Sequence, residues 1–204
     1  MRLAREKRRS FLGIRGSAAV LFLLLLLASG CATGGKYMTK AEPIVSPPEG
    51  KALVTFVRPS NFGGAISFGL WDGDVFIGIL GPDMSIQYET TPGEHYFIAR
   101  AENWACVKAD LAADRQYVIK ANPVIGAWKA RVVLSPVNES DYNKPGELPK
   151  VRKWLADAKP MRPNPEHRDA YAEPRRQDVL KAKEMFVSGE GKYLTLGTGD
   201  YLPE

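Results

Sequence analysis

Cysteine and histidine are scarce in this chain. Two cysteines, Cys31 and Cys106, and two histidines, His95 and His167, are all that its 204 residues provide. Two cysteines cannot build a disulfide framework. The histidines lie far apart and in no ligand spacing, whereas a zinc site takes three or four placed ligands. No metal or other cofactor is therefore expected. Long apolar runs are also few. One occupies residues 18–27, and no later stretch approaches the ~20 apolar residues of a membrane span. Net charge is missing from most of the chain. Six of the 28 Lys/Arg and one of the 23 Asp/Glu lie in residues 1–30, which leaves 22 of each in residues 31–204. A balanced chain lacks the basic surplus that displaces counterions from phosphate, so no nucleic acid partner is expected.

What is present begins with LFLLLLLASGC, residues 21–31. A positive segment (Arg2, Arg5, Lys7, Arg8, Arg9, Arg15) precedes an apolar run too short to span a bilayer comfortably. Ala28, Ser29 and Gly30 then lead into Cys31. Small side chains suit a peptidase cleft, and the Cys31 thiol is the strong nucleophile at hand for a diacylglyceryl group. The stretch resembles a bacterial lipoprotein signal, with Ala28 where leucine is usual. The resemblance implies cleavage before Cys31, lipid on Cys31, and a chain held at a membrane by that lipid. Each buried methylene of an acyl chain contributes about 0.8 kcal/mol to such an anchor. Ala32 after the cysteine favours the outer membrane, facing the periplasm. Residues 7–12, KRRSFL, also look like a twin-arginine export motif, so Sec and twin-arginine routes both stay open. Alternatives are a secretory signal with an incidental cysteine, or an uncleaved anchor helix.

Four segments follow from the pattern: a signal over 1–30, a flexible tether over 31–50, a β domain over 51–134, and a helical C-terminal extension over 135–204. The tether contains Pro43, Pro47 and Pro48 and no apolar periodicity, so it cannot bury enough to order itself. Residues 52–58, ALVTFVR, are rich in β-branched and aromatic side chains and stop at Pro59. In residues 66–71 Ile66, Phe68 and Leu70 share one face, with Trp71 opposite. Asp72-Gly73 then predicts a two-residue hairpin turn, and Thr91-Pro92-Gly93 a second turn. Further strands are expected near 75–80, 84–89, 95–100, 104–108, 115–121 and 128–134. The expected fold is mainly β: a small antiparallel β-sandwich of seven or eight strands. Leu148, Val151 and Leu155 predict a helix over 148–158, and a second is expected over 176–187. The apolar tail over 192–204 is expected to dock on its own sheets or on a partner.

ALVTFVRPSNF, LWDGDVFIGIL and TTPGEHYFIAR together resemble the domain-of-unknown-function family number 2846 of bacterial lipoproteins. They also look like PEGA-type surface β domains, which share the Pro-Gly turn. The resemblance covers residues 51–134. It implies a β fold and no active site.

Candidate chemistry is thin. Cys106 beside Trp104 and Val107 reads as a small buried hydrophobe. A Cys106–His95 nucleophile pair would need the two within hydrogen-bond reach. Asp72 and Asp74 are explained by the hairpin and lack the ligand series of a calcium loop. Glu89, Glu94 and Glu102 fix no carboxylate separation. No catalytic residue is assigned, and the chain is not read as an enzyme. The tryptophans carry more. Exposed, they stack on sugars or anchor interfaces. Trp128 alternates as a core residue. Trp71 and Trp104 are the candidate partner-binding residues, with packing of Trp71 against the C-terminal helices as the alternative. The reading is a lipid-anchored cell-envelope binding or structural module whose partner is an envelope protein or cell-wall glycan. The alternative is an envelope hydrolase with an unrecognised site.

Overall fold

The computed structural model describes residues 35–125 and 130–204. The signal, Cys31 and Trp128 lie outside the described residues. The fold is mainly β, in two mixed sheets with few helices. The strands are β1 (Met38–Lys40), β2 (Ala52–Arg58), β3 (Phe68–Asp72), β4 (Val75–Leu80), β5 (Met84–Thr90), β6 (Gly93–Arg100), β7 (Trp104–Leu111), β8 (Arg115–Ile125), β9 (Ala130–Pro136), β10 (Lys159–Pro163) and β11 (Leu194–Leu196). The helices are α1 (Glu139–Tyr142), α2 (Glu147–Asp157) and α3 (Arg168–Val187). One sheet runs β1-β10-β5-β2-β8-β9 and the other β11-β7-β6-β3-β4.

The alternating faces build a shared core. Val54 and Phe56 of β2, Ile119 of β8, and Leu70, Phe97 and Val107 of the other sheet belong to one buried cluster. Phe56 and Phe97 meet edge to face across it, with centroids 5.3 Å apart. β2 is buried along its whole length, because its other face is covered as well. There Val57 and Val118 pack under Val151 of α2 and Tyr142 of α1.

Three expectations are corrected here. The sheets are not purely antiparallel: β2–β8, β10–β5 and β11–β7 are parallel pairs. Residues 52–136 hold eight strands, but the sheets also recruit β1 from the expected tether, and β10 and β11 from the C-terminal extension and its tail. Met38–Lys40 pairs with Met161–Pro163, so the tether region is not wholly unstructured. It still does not order itself, since its partner lies over 120 residues away. The second helix begins at Arg168 and runs through Pro174, eight residues earlier than the periodicity predicts. Ala172, Val179, Ala182 and Phe186 give it one buried stripe.

The hairpin after β3 forms, one residue later than expected. Asp72 pairs with Val75, so Gly73 and Asp74 make the loop, and of these Gly73 alone has positive φ, +55°. The β3–β4 register slips between Leu70 and Trp71: Leu70 pairs with Gly78 and Trp71 with Phe76, leaving Ile77 as an extra residue. Gly78 sits at φ +151°, and a Cβ there would lie 2.8 Å from Ile86 Cδ1 and 3.0 Å from Met38 Cε. Gly78→Ala is expected to cost about 1–3 kcal/mol through overpacking and backbone strain. A thermal melt checks it, and an unchanged Tm would contradict the close approach.

The tail docks on its own sheets. Leu196 is buried in β11, Leu202 N–H donates to Gln116 O at 2.7 Å, and the Tyr117 hydroxyl donates to Thr198 O at 3.0 Å. The outer edge of β9 is capped. Asn103 accepts from Val132 N–H at 2.7 Å and donates to Val132 O at 3.0 Å, so its amide occupies the place of a neighbouring strand.

Candidate functional site

Trp71 is not the exposed aromatic expected from the alternation; it is fully buried. The bulge at Ile77 brings Phe76 beside it, with centroids 5.0 Å apart. Phe76 lies 5.0 Å from Tyr171 of α3, and Tyr171 lies 5.3 Å from Tyr37 next to β1. This aromatic row seats α3 on the outer face of the sheet. The face that strand alternation alone reads as solvent-exposed is thus a second packing surface.

Trp104 is half-buried, at the start of β7. The Arg100 guanidinium lies 5.0 Å from its ring centroid, and Arg100 also pairs with Asp178 of α3 at 3.2 Å. Trp104, Arg100, Asp178, Lys181 and Met185 line a shallow groove of about 300 Å³ between β7 and α3. A half-exposed indole framed by two cations and a carboxylate offers a flat apolar face with hydrogen-bonding groups around it.

A polar cluster that corresponds to no sequence motif joins the two turns of β3–β4 and β5–β6. His95 Nδ1 lies 2.8 Å from Asp72 Oδ2, and His95 Nε2 lies 2.8 Å from Thr91 O. The Tyr88 hydroxyl donates to the same Asp72 oxygen at 3.2 Å. Both ring nitrogens of His95 face acceptors, so the doubly protonated imidazolium satisfies both. The pKa of His95 is raised, chiefly by the hydrogen bond to Asp72 and against the opposing effect of burial. Burial, helped by Asp72, pushes Tyr88 up to about 12. The ring stacks on Phe97 at 5.6 Å, nearly parallel. With Nε2 engaged by Thr91, the imidazole has no nitrogen to offer a nucleophile. Asp72 and His95 are 23 residues apart and meet because β3 and β6 are neighbours in one sheet, a pairing that no local sequence signal announces.

Cys106 and His95 are not brought together. Cys106 pairs with Ile98 and His95 with Ala109, three residues apart along the β6–β7 ladder. Cys106 is buried, and that burial pushes its thiol up to about 12, away from thiolate chemistry. His167 is exposed at the start of α3. Among the described residues, no group of three His, Cys, Asp or Glu could hold a metal ion.

The outer face of the six-stranded sheet carries two further cavities, of about 500 and about 300 Å³, which share Ile44, Gln87 and Pro160. The floor of the smaller includes Thr55 and Ser85, both buried, and Gln116, which donates to Thr55 Oγ1 at 3.2 Å. The chain matches none of the family models, curated proteins or solved structures with which it was compared.

Proposed function

We propose that this protein is a lipid-anchored cell-envelope lipoprotein that works as a binding module, attached through Cys31 and facing the periplasm from the outer membrane. The observation that carries the anchor is the run LFLLLLLASGC at residues 21–31. Within this reading residues 51–134 are a β-sandwich of the kind suggested by the resemblance to family 2846. The partner is cell-wall glycan or an envelope protein, met at the Trp104 groove. Trp104 supports this because it is half-exposed, whereas Trp71, the other candidate partner-binding tryptophan, is fully buried. An indole edge beside Arg100, Lys181 and Asp178 suits a sugar, whose ring faces are apolar and whose hydroxyls need donors and acceptors.

Membranes from cells carrying the full chain, Cys31→Ala or Trp104→Ala test both parts. The Cys31→Ala chain is expected in the soluble fraction, and its persistence in the membrane would sink the anchor. Pulldown of the full chain after crosslinking is expected to recover glycan or one defined protein. Trp104→Ala is expected to lower that recovery at least tenfold while leaving membrane attachment intact. Equal recovery would remove the Trp104 groove from the reading.

A further inference from the structure

Residues 42–48, EPIVSPP, cross the outer face of the six-stranded sheet as an extended strap. Before the strap, Ala41 N–H donates to Pro160 O at 3.0 Å. After it, Gly50 N–H donates to Asp114 Oδ1 at 2.7 Å. Between those points Ile44 is the one residue hydrogen-bonded to the sheet among the described residues. Ile44 N–H donates to Gln87 Oε1 at 2.7 Å, and Gln87 Nε2 donates to Ile44 O at 2.9 Å. A side-chain amide that takes both backbone groups of one residue reads an extended backbone without reading its side chain. Val45, the next residue, is 91% exposed and contributes almost no burial.

The strap does not fill the space it crosses. The two cavities that share Ile44, Gln87 and Pro160 lie on either side of it, about 500 and about 300 Å³. The smaller has hydroxyls at its floor, Thr55 and Ser85, and an apolar wall from Leu155, Ala158 and Leu202. The larger is flanked by Lys40 and Arg162, with the strap's own Glu42 beside them. The groove therefore pairs two cations at one end with an apolar wall at the other, and a backbone clamp between.

We infer that this groove is a binding site for an extended peptide segment of a partner protein, and that residues 42–48 occupy it as a built-in competitor. The partner segment carries a carboxylate two residues before the residue held by Gln87, as Glu42 precedes Ile44. Small or branched apolar residues and proline follow it, as in the strap. Proline favours this occupant because its fixed φ keeps such a segment extended before binding. A tethered competitor acts at an effective concentration near the millimolar range, so a partner must bind well or meet an already lifted strap.

The test uses the synthetic peptide EPIVSPP, labelled at its C-terminus, and two proteins. One is the intact chain. The other has residues 42–48 replaced by seven alternating glycines and serines. Anisotropy titration is expected to give a Kd at least tenfold lower for the linker protein than for the intact chain. Gln87→Ala in the linker protein is expected to weaken binding at least tenfold, and lysine in place of the peptide's glutamate severalfold. No binding to the folded linker protein at 1 mM peptide, or equal binding after Gln87→Ala, overturns the inference. If the linker protein fails to fold, hydrogen exchange on the intact chain decides. The Ile44 amide is expected to exchange faster in 10 mM peptide, and an unchanged rate overturns it. A concentration-dependent dimer that trades straps and excludes the peptide also overturns it, since the occupant would then be a second copy.

Discussion

Arg58→Ala is expected to destabilise the fold by roughly 3–5 kcal/mol, through the cavity it leaves and the buried acceptors it strips of their donor. Arg58 closes β2 on the core-facing side and is fully buried. Its Nη1 donates to Ile66 O, and its Nη2 donates to Phe62 O at 2.6 Å and Gly63 O at 2.9 Å. The guanidinium also lies 5.1 Å from the Phe68 ring centroid. No carboxylate pairs with it among the described residues, so three carbonyls of the loop after Pro59 carry its solvation. Alanine removes all three bonds at once and leaves a cavity the size of the side chain. A hydrogen bond to a charged group contributes about 1.5–3 kcal/mol, and the buried Nε, which has no partner, offsets part of the total. For a domain of this size the fall in Tm is roughly 10 °C. Arg58→Lys is expected to recover little, because an ammonium cannot span three carbonyls with a planar fork. Urea unfolding of the three proteins measures it. A loss under 1 kcal/mol for alanine would show that the loop carbonyls find water instead.

The second large effect is a pH dependence at His95. Its folded pKa is raised above the unfolded value, about 6.5. The stabilisation is therefore complete below about pH 6.5 and is lost as pH rises through the folded pKa. Above that point the neutral ring must leave either Asp72 or Thr91 without a proton. Asp72→Asn is expected to cost about 1.5–3 kcal/mol at pH 6, where the charge-assisted bond is intact, and less at pH 9. The side chains of His95 and Asp72 are 12% and 13% exposed, so solvent screens the pair only weakly. Unfolding free energies measured from pH 5 to 9 check the sign. The wild type is expected to lose stability toward alkaline pH and His95→Gln to flatten that slope. A wild-type slope that rises through this range would exclude the imidazolium.

Much of the β region could be read from sequence because its signals are local. The strands over 52–58 and 75–80, the turns at Gly73 and Gly93, and the α2 stripe rest on alternation, turn chemistry and helical spacing within a few residues. Trp71 shows where that logic ends. Alternation placed it opposite Leu70 correctly. It could not say that α3, a hundred residues later, covers that side through Tyr171. The strap and β1 illustrate the same limit: the strap is proline-rich, neither has a period, and they are held by Gln87 and β10, which no neighbouring residue announces.

Composition and order along the chain thus determined the balanced charge, the want of metal-ligand spacing, the signal-like first thirty residues and the β character of the middle. Tertiary structure decided which strands run parallel, which tryptophan is buried, how Asp72 meets His95, and that a groove lies beneath residues 42–48. The physical reason is the range of the interactions. Turn and strand preferences act between neighbours. Sheet neighbours, aromatic rows and side-chain clamps form between residues tens to more than a hundred positions apart, and they exist only once the chain has closed on itself.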